Sequence, residues 1–345
     1  MKKFYKSLFI TAPETMIHNG NYIVVMHEDD EIERFPLKNL DAVSYFGNMP
    51  VRTEFMEACV KNDVRLNIFY PDGQFISSIT GDSFKDSELK RQQYLASVNP
   101  DKCLEIARNT IMAKVFNSRW LIGRMYRDYG EKMDSKFMTR ESAILKDILG
   151  EVFASRDMAT LRDIKRRAAG ELYSVMDYLI IEQKDSFVFE GRSTKTPVDP
   201  VNTMLSLSYK MLEEICVSAL KSAGLDVYSG FFYMEKPNRM SLALDLLEEF
   251  KACIADRFVL TIINERQIKI GDFKEDDEGS YVLTDAGLTR FLSLWYEFIN
   301  NKTIHPYLEE NIEWGMLPYA SVMLLVQFLR GEIDKYPPFL RQKVG

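Results

Sequence analysis

Hydrophobic and polar positions along the chain follow two different periods. In the first part, short apolar runs alternate with polar positions at a spacing of two, which is typical of strands. A segment with helical spacing, Arg52–Val60, interrupts them. The predicted strands are Ser7–Thr11, Tyr22–Met26, Glu31–Leu37, Leu40–Phe46, Val64–Tyr70 and Phe75–Thr80. Residues 1–82 are therefore predicted to form a small β-rich domain that begins as a β meander, with a hairpin turn at Pro71–Gln74.

From about Lys85 the spacing of apolar residues changes to three or four, which indicates amphipathic helices. The predicted helices are Lys85–Ala96, Pro100–Tyr129, Met133–Leu149, Met158–Gln183, Asn202–Gly224, one from Ser241, one from Ala252 into the 260s, Leu283–Asn300 and Pro318–Arg330. The pattern predicts an α+β fold. Its three parts are a β-rich domain (1–82), a linker with the first helix (83–99) and a larger α-helical domain (100–345).

The stretch 230–251 combines a crowded apolar helix pattern with carboxylates inside it. Asp245 and Glu248 are three residues apart, so they share one helix face. Two carboxylates on a largely buried face are costly to desolvate unless a basic side chain or a divalent metal lies opposite. A salt-bridged helix rim is the other interpretation of the same spacing.

Composition limits the classes of protein to consider. The chain has 345 residues, 46% of them hydrophobic, and a net charge of −7. This charge argues against a protein that coats nucleic acid over its whole surface, but it permits a local basic groove. The four cysteines show no C-x-x-C spacing, so neither a zinc site nor disulfides are expected. No apolar run approaches the length of a membrane span or a signal peptide, and we expect a cytoplasmic protein without membrane contact.

Several long phrases resemble one family. They are FEGRSTKTPVDPVNTMLSLSYKMLE at 189–213, GLDVYSGFFYMEKPNRMSLALDLLEEF at 224–250, DRFVLTIIN at 256–264, FNSRW at 116–120 and IHPYLEENIEWGMLPYA at 304–320. The family is the CRISPR-associated adaptation integrase, CRISPR-associated protein one, in its type I-C-like form. The resemblance spans the whole chain.

The resemblance implies an activity and a set of partners. The family is a metal-dependent DNA endonuclease and integrase that uses Mg or Mn and inserts short DNA into a repeat array, the spacer acquisition step of CRISPR antiviral defense. It implies a homodimer formed through the β-rich domain and binding to DNA. It also implies the small ferredoxin-like adaptation subunit and an iron–sulfur nuclease as companions.

The family's metal site departs from its pattern here. It consists of a glutamate, a histidine and an acidic residue; Lys165 stands at the glutamate position and Tyr233 at the histidine position, whereas Asp245 and Glu248 match the acidic helix. A lysine ammonium repels a cation, and a protonated phenol is a weak ligand. We therefore expect metal binding at Asp245 and Glu248 to be weak or lost, catalysis to be impaired or lost, and Lys165 to pair with one of the two carboxylates.

Two other hypotheses stay open at this point. The chain remains an active Mg/Mn-dependent endonuclease-integrase through Asp245 and Glu248, or it is a regulator that forms mixed dimers with an intact paralogue. Glu171 lies six residues after Lys165, on the wrong helix face to replace the missing glutamate. The three histidines are expected to be structural or exposed.

Basic residues near the substituted site are candidates for phosphate contacts, which need positive charge but little precise geometry. For each group a solvated charged face is the alternative. The predicted DNA-binding residues are Lys165, Arg166, Arg167, Arg192, Lys195, Lys236 and Arg239.

Overall fold

Two small β-sheets form the N-terminal part of the protein. The structure is a computed structural model that describes residues 2–4, 7–11, 15–27, 30–40, 42–46, 50–62, 64–69, 75–80, 84–193, 197–276 and 279–341. The strands are β1 Lys2–Phe4, β2 Ser7–Thr11, β3 Thr15–Asn19, β4 Tyr22–His27, β5 Asp30–Pro36, β6 Ala42–Phe46, β7 Arg65–Phe69 and β8 Phe75–Ile79, with helix α1 at Thr53–Lys61. The predicted turn at 71–74 lies outside the described residues.

The pairing of these strands corrects the predicted meander. One sheet has the order β1-β2-β6-β7-β8, and β2–β6 and β6–β7 pair in parallel. A separate antiparallel sheet has the order β3-β4-β5, and its strand β3 was missed. A spacing of two is the same in parallel and antiparallel strands, so it does not identify the pairing partner. The connection through α1 makes the parallel pair β6–β7 possible.

The rest of the described chain is mostly helical, so the α+β prediction is confirmed. The helices are α2 Phe84–Ser97, α3 Pro100–Tyr129, α4 Ser135–Ala154, α5 Met158–Met176, α6 Pro200–Ala223, α7 Ser241–Phe250, α8 Arg257–Asn264, α9 Asp285–Asn300 and α10 Leu317–Leu329. Two hairpins lie among them: β9 Phe273–Glu275 with β10 Tyr281–Leu283, and β11 Lys302–Ile304 with β12 Asn311–Glu313. The sequence predicted no strand in either hairpin.

Local signals explain where the long helices begin and end. The Asn99 side chain accepts from two backbone N–H groups of the first turn of α3, and Pro100 occupies the first helical position. The Asp199 side chain caps α6 by accepting from the backbone N–H of Asn202, and Gly224 ends the helix in a left-handed conformation with φ 82°. Of these two helices, α3 carries a residue of the candidate site.

Helices α7 and α8 are joined without a break, which the sequence did not predict. A π-helical segment, Lys251–Asp256, connects them. It contains neither glycine nor proline, and five of its six residues are buried. Short π-helical segments inside α-helices often occur at functional sites. This one follows directly after the acidic helix.

The buried apolar residues form two clusters. The smaller one lies between the N-terminal sheets and α1, around Leu8, Ile10 and Tyr45. The larger one fills the helical part, around Phe250 and Phe258. No helix of the described ranges is long and apolar enough to cross a membrane.

Candidate functional site

Glu248, on α7, is the centre of the candidate site and is wholly buried. Its Oε2 accepts a hydrogen bond from Lys114 Nζ at 2.6 Å. Its Oε1 accepts from Tyr233 OH at 2.5 Å and from Lys251 Nζ at 3.2 Å. Lys165 Nζ lies 3.3 Å from the same Oε1. The predicted pairing of Lys165 is therefore present, and its partner is Glu248. We call these five residues the Glu248 network.

Four different parts of the helical region build this network. Lys114 comes from α3, Lys165 from α5, Tyr233 from the loop between α6 and α7, and Lys251 from the π-helical segment. Three ammonium groups surround one carboxylate, so the network carries an excess of two positive charges when all four groups are ionised. The resemblance places Lys165, Tyr233 and Glu248 at the family's ligand positions. These three residues meet in space, but they meet as part of an ion-pair cluster.

The charges in the network shift one another's pKa values. Burial alone would raise the pKa of Glu248, but Lys114, Lys251 and Lys165 outweigh it and hold the pKa well below its usual range. Burial would lower the pKa of Lys114, but the Glu248 carboxylate more than offsets this, so the pKa is raised. Burial, with the two neighbouring ammonium groups, lowers the pKa of Lys165. Lys114 and Glu248 are therefore held in their charged forms.

Asp245 has a different role from the one predicted. Its Oδ2 accepts from the backbone N–H groups of Phe231 at 2.6 Å and Phe232 at 2.9 Å, and its Oδ1 accepts from Tyr233 N–H at 2.9 Å. No ion pair of Asp245 occurs within the described part of the chain, so Glu248 is the one of the two carboxylates with which Lys165 pairs. Because its oxygens are occupied by the loop 231–233, Asp245 positions Tyr233 against Glu248.

The same loop explains the glycine at position 230. A Cβ atom there would lie 2.9 Å from the Ser241 backbone carbon and 3.0 Å from Asp245 Oδ2. Real Cβ atoms do not approach backbone so closely, so the loop packs onto the start of α7 only with glycine at this position. Gly230 and Asp245 together hold Tyr233 in place.

Glu249, the next residue on α7, fastens the C-terminal segment 336–341 to the helix. It accepts from Tyr336 OH at 2.6 Å and from Phe339 N–H at 3.0 Å. Asn117 of α3 holds the same segment by donating to Phe339 O at 2.8 Å and accepting from Arg341 N–H at 2.9 Å. The segment therefore closes one side of the acidic helix.

The residues present do not fit a divalent metal ion. Mg²⁺ requires oxygen ligands at about 2.0–2.1 Å. Both Glu248 oxygens already accept from ammonium or phenol donors, and both Asp245 oxygens accept from backbone N–H groups. No group of three His, Cys, Asp or Glu side chains suited to a metal occurs among the residues that the structure describes. Three ammonium groups would repel the cation as well.

A cleft of about 410 Å³ opens next to the network. It is lined by Arg162, Lys165, Arg166, Ala169, Phe232, Tyr233, Met234, Lys236 and Arg239. Five of these are cationic, and no carboxylate is among the described residues that line it. Lys165 Nζ lies 5.3 Å and Arg239 Cζ 4.6 Å from the centre of the Tyr233 ring. We call it the basic cleft; its chemistry suits anionic groups.

The structure brings some of the predicted DNA-binding residues together and separates others. Lys165, Arg166, Lys236 and Arg239 all line the basic cleft. Arg167 points to another side, where it donates to Glu151 and Asp163, so it is not part of the cleft.

Arg192 is fastened inside the fold. Its guanidinium donates to Asn202 Oδ1 at 2.8 Å and to Ser206 Oγ at 2.9 Å, and it lies 5.3 Å from the centre of the Tyr209 ring. It therefore anchors its loop to α6. Lys195 lies outside the described residues.

Three important cations were missed at the sequence level. Lys114 stands in the apolar run MAKVF, and a lone lysine in such a run needs a buried partner. Lys251 is three residues after Glu248, and Arg162 is three residues before Lys165, so each shares a helix face with a predicted residue. The apolar run around Lys114 and the three-residue spacings of Lys251 and Arg162 were the signals that could have identified them.

Known proteins similar to this chain place it in one class. A family model described as CRISPR associated protein Cas1 matches residues 8–297. The CRISPR-associated endonuclease Cas1 2 of Rhodospirillum rubrum is 34% identical, over 98% of this chain and 99% of its own length. The CRISPR-associated endonuclease Cas1 1 of Chlorobaculum tepidum is 32% identical, over 99% of both. The fold and these matches define a CRISPR-associated protein. The chain belongs to the Cas1 family.

Solved structures share the fold. A casposase bound to an integration product superposes with a TM-score of 0.80 at 20% identity, covering 98% of this chain and all of that one. A Cas1 protein from Thermotoga maritima gives 0.73 at 21% identity, with 96% and 98% covered. A partial Cas6-RT-Cas1–Cas2 complex gives 0.78 at 19% identity, with 97% and 99% covered. The architecture of the chain is thus that of Cas1 proteins.

Proposed function

We propose that this protein is a DNA-binding member of the Cas1 family, of the type I-C-like form, that serves spacer acquisition without metal-dependent catalysis. One observation carries the proposal. Lys165 Nζ and Tyr233 OH both lie within 3.3 Å of Glu248 Oε1, the oxygen that a metal ion between these three positions would need. An internal ammonium occupies the place of the cation.

The chemistry of the relatives explains why this arrangement opposes catalysis. In phosphodiester transfer a metal ion offsets the charge that develops on the phosphate and leaving oxygens. A lysine adds positive charge, but it provides no vacant coordination position for the reacting oxygens. An active enzyme through Asp245 and Glu248 would require both carboxylates to leave their present donors. Each would then leave buried N–H or ammonium groups unpaired.

The basic cleft supports DNA binding. Its lining includes Arg162, Arg166, Lys236 and Arg239, and Lys165 belongs both to the lining and to the Glu248 network. Phosphate groups of a strand in the cleft would meet cations and, among the described residues that line it, no carboxylate. Such contacts depend on charge, so binding should weaken as salt concentration rises.

The assembly is proposed from the relatives. We propose a homodimer with residues 1–82 as its dimerisation domain, and the small ferredoxin-like adaptation subunit and an iron–sulfur nuclease as companions. A solved complex contains Cas1 together with Cas2, which supports a companion subunit. A fusion of exonuclease Cas4 with endonuclease Cas1 in Geobacter sulfurreducens, 29% identical to this chain, supports a nuclease partner.

The test measures binding and cleavage separately. Pure protein is incubated with branched DNA in the presence of Mg²⁺, Mn²⁺ or EDTA; binding is followed by fluorescence anisotropy and cleavage by gel. We expect equal binding with and without metal, and no cleavage. Mn²⁺-dependent cleavage that disappears in Glu248→Gln would overturn the proposal and support the active enzyme.

Cleft variants show where DNA binds. Arg239→Ala should weaken binding to all DNA sequences and lower the salt dependence by about one phosphate contact. Arg290→Ala is the matched control, because Arg290 is exposed on α9 and does not line the cleft. Equal binding by both variants would place the DNA elsewhere on the protein.

A further inference from the structure

Three arginines gather around two tryptophans on a side of the helical region that shares no residue with the basic cleft. Arg257 Cζ lies 4.4 Å from the centre of the Trp314 ring. Arg341 Cζ lies 5.3 Å from the Trp314 ring and 5.4 Å from the Trp120 ring. Arg124 Cζ lies 5.8 Å from the Trp120 ring. We call these five residues the arginine–tryptophan cluster.

The positive charge of the cluster is only partly balanced. Arg124 pairs with Asp128 at 3.0 Å. No ion pair of Arg257 or Arg341 with an acidic side chain is found among the described residues. Burial, together with Arg124 and Arg341, lowers the pKa of Arg257 to about 9. The aromatic faces attract the guanidinium groups, but they do not satisfy N–H donors that lie in the guanidinium plane.

Several donors in the cluster have no acceptor. Nε and Nη1 of Arg257, Nε of Arg341 and Nε1 of Trp120 are buried and make no hydrogen bond within the described ranges. Arg341 is 8% exposed. Buried polar groups in proteins are almost always hydrogen-bonded, so four orphan donors on three residues of one cluster point to a missing acceptor.

We propose that the arginine–tryptophan cluster binds a small oxyanion of the phosphate class. The orphan groups are all donors, which excludes a cation or an apolar ligand. Guanidinium forks bind oxyanions through paired, charge-assisted hydrogen bonds. The cluster reaches solvent at Arg124, whose side chain is 30% exposed. The site would tie α3 and α8 to the C-terminal segment 336–341.

The tryptophans provide a direct measurement. The chain has three, and two of them, Trp120 and Trp314, belong to the cluster. The full-length protein is titrated with inorganic phosphate at constant ionic strength while tryptophan emission is recorded. We expect a saturable change that persists in Trp295→Phe, because that substitution removes the tryptophan outside the cluster.

Substitutions test the donors. Arg341→Met should weaken phosphate binding about tenfold or more, because it removes a charge-assisted fork. Arg341→Lys keeps the charge but loses the fork, so its affinity should fall between the two. The control Arg290→Met changes an exposed arginine on α9 and should bind like the unchanged protein. Far-ultraviolet circular dichroism identifies any variant that fails to fold.

The source of the oxyanion is tested with a single-stranded oligonucleotide. Competition with phosphate for the emission change would identify a backbone phosphate as the natural ligand, and absence of competition would identify a free ion. The proposal is overturned if phosphate causes no saturable change in the unchanged protein. It is also overturned if folded Arg341→Met responds with the same affinity, since cation–π stacking would then account for the cluster.

Discussion

Asp245 and Glu248 lie one helical turn apart on α7 and are both buried, yet their surroundings are opposite. Glu248 meets three lysines and a tyrosine, and the pKa of its carboxyl is held well below the usual range. Asp245 meets three backbone N–H groups and, among the described residues, pairs with no lysine. Burial raises its pKa to about 7, although the three N–H donors act in the other direction. One carboxylate is stabilised by charge, the other by oriented dipoles.

The different surroundings of Asp245 and Glu248 give the two carboxylates different roles. The Glu248 network borders the basic cleft and contains Lys165 and Tyr233, which the resemblance places at two of the family's ligand positions. Asp245 holds the loop that delivers Tyr233 to that network. On α7, Glu248 therefore sets the charge of the site, and Asp245 holds the loop that shapes it. Substitutions can test each half.

The largest effect is expected for Glu248→Gln. It leaves Lys114, which is 8% exposed, without its charged partner, and breaking one side of a buried ion pair costs about 3–5 kcal/mol. The measurement is urea unfolding monitored by circular dichroism. The control Glu57→Gln breaks an exposed pair with Lys61 and should cost about 0–1 kcal/mol. Similar small losses in both variants would contradict charge stabilisation of Glu248.

Asp245→Asn should cost about 1–3 kcal/mol, because the amide group turns one N–H donor toward the N–H groups of the loop and leaves at least one unpaired. The loss should appear locally. Hydrogen exchange at the amides of Phe231, Phe232 and Tyr233 should accelerate, while the amides of α3 change less. Unchanged protection at these three amides would show that the loop does not depend on Asp245.

The double variant Lys165→Glu with Tyr233→His tests whether two side chains exclude the metal. It places a carboxylate and an imidazole at positions that both reach Glu248 Oε1. Mn²⁺ at ten times its dissociation constant should then stabilise the variant by about 1.4 kcal/mol, read as a rise in melting temperature that EDTA reverses. An equal rise of the melting temperature in the unchanged protein would show that its own residues bind Mn²⁺.

The smallest expected effect is the pH dependence of stability that comes from Glu249. Burial raises its pKa from 4.5 to about 7, so the folded state retains a proton that the unfolded chain has released. This contribution to stability is complete below pH 4.5 and is lost as the pH rises through 7. Between pH 6 and 8 it should change by about 1 kcal/mol. Glu249→Gln, neutral at every pH, should show a flatter stability profile; equal slopes would assign the titration to other groups.

Part of the site could be predicted from the sequence. The spacing of Asp245 and Glu248 predicted that both carboxylates share one helix face. The resemblance predicted that Lys165 and Tyr233 lie at the same site. The bounds of α3 were predicted correctly, because a capping asparagine and a proline mark its start.

Other parts depend on tertiary packing. The role of Asp245 depends on a loop that folds back from position 231. Its donors are backbone N–H groups, and these cannot be recognised from the pattern of side chains. The parallel pairing of β2 with β6 depends on a chain path that the spacing of two does not encode. The π-helical segment has no sequence signal comparable to a proline or a cap. The domain bounds at 82 and 99 and the role of Lys195 stay predictions.

The hydrogen bond from Phe339 N–H to Glu249 can form only late in the synthesis of the chain. Their contact spans 90 residues of sequence. Chains emerge from the ribosome with the N-terminal part first, so α7 exists well before the segment that covers it. Until that segment arrives, the Glu249 carboxylate has neither Tyr336 nor Phe339 as a donor. Glu249 therefore reaches its final environment only when residues 336–341 have been added.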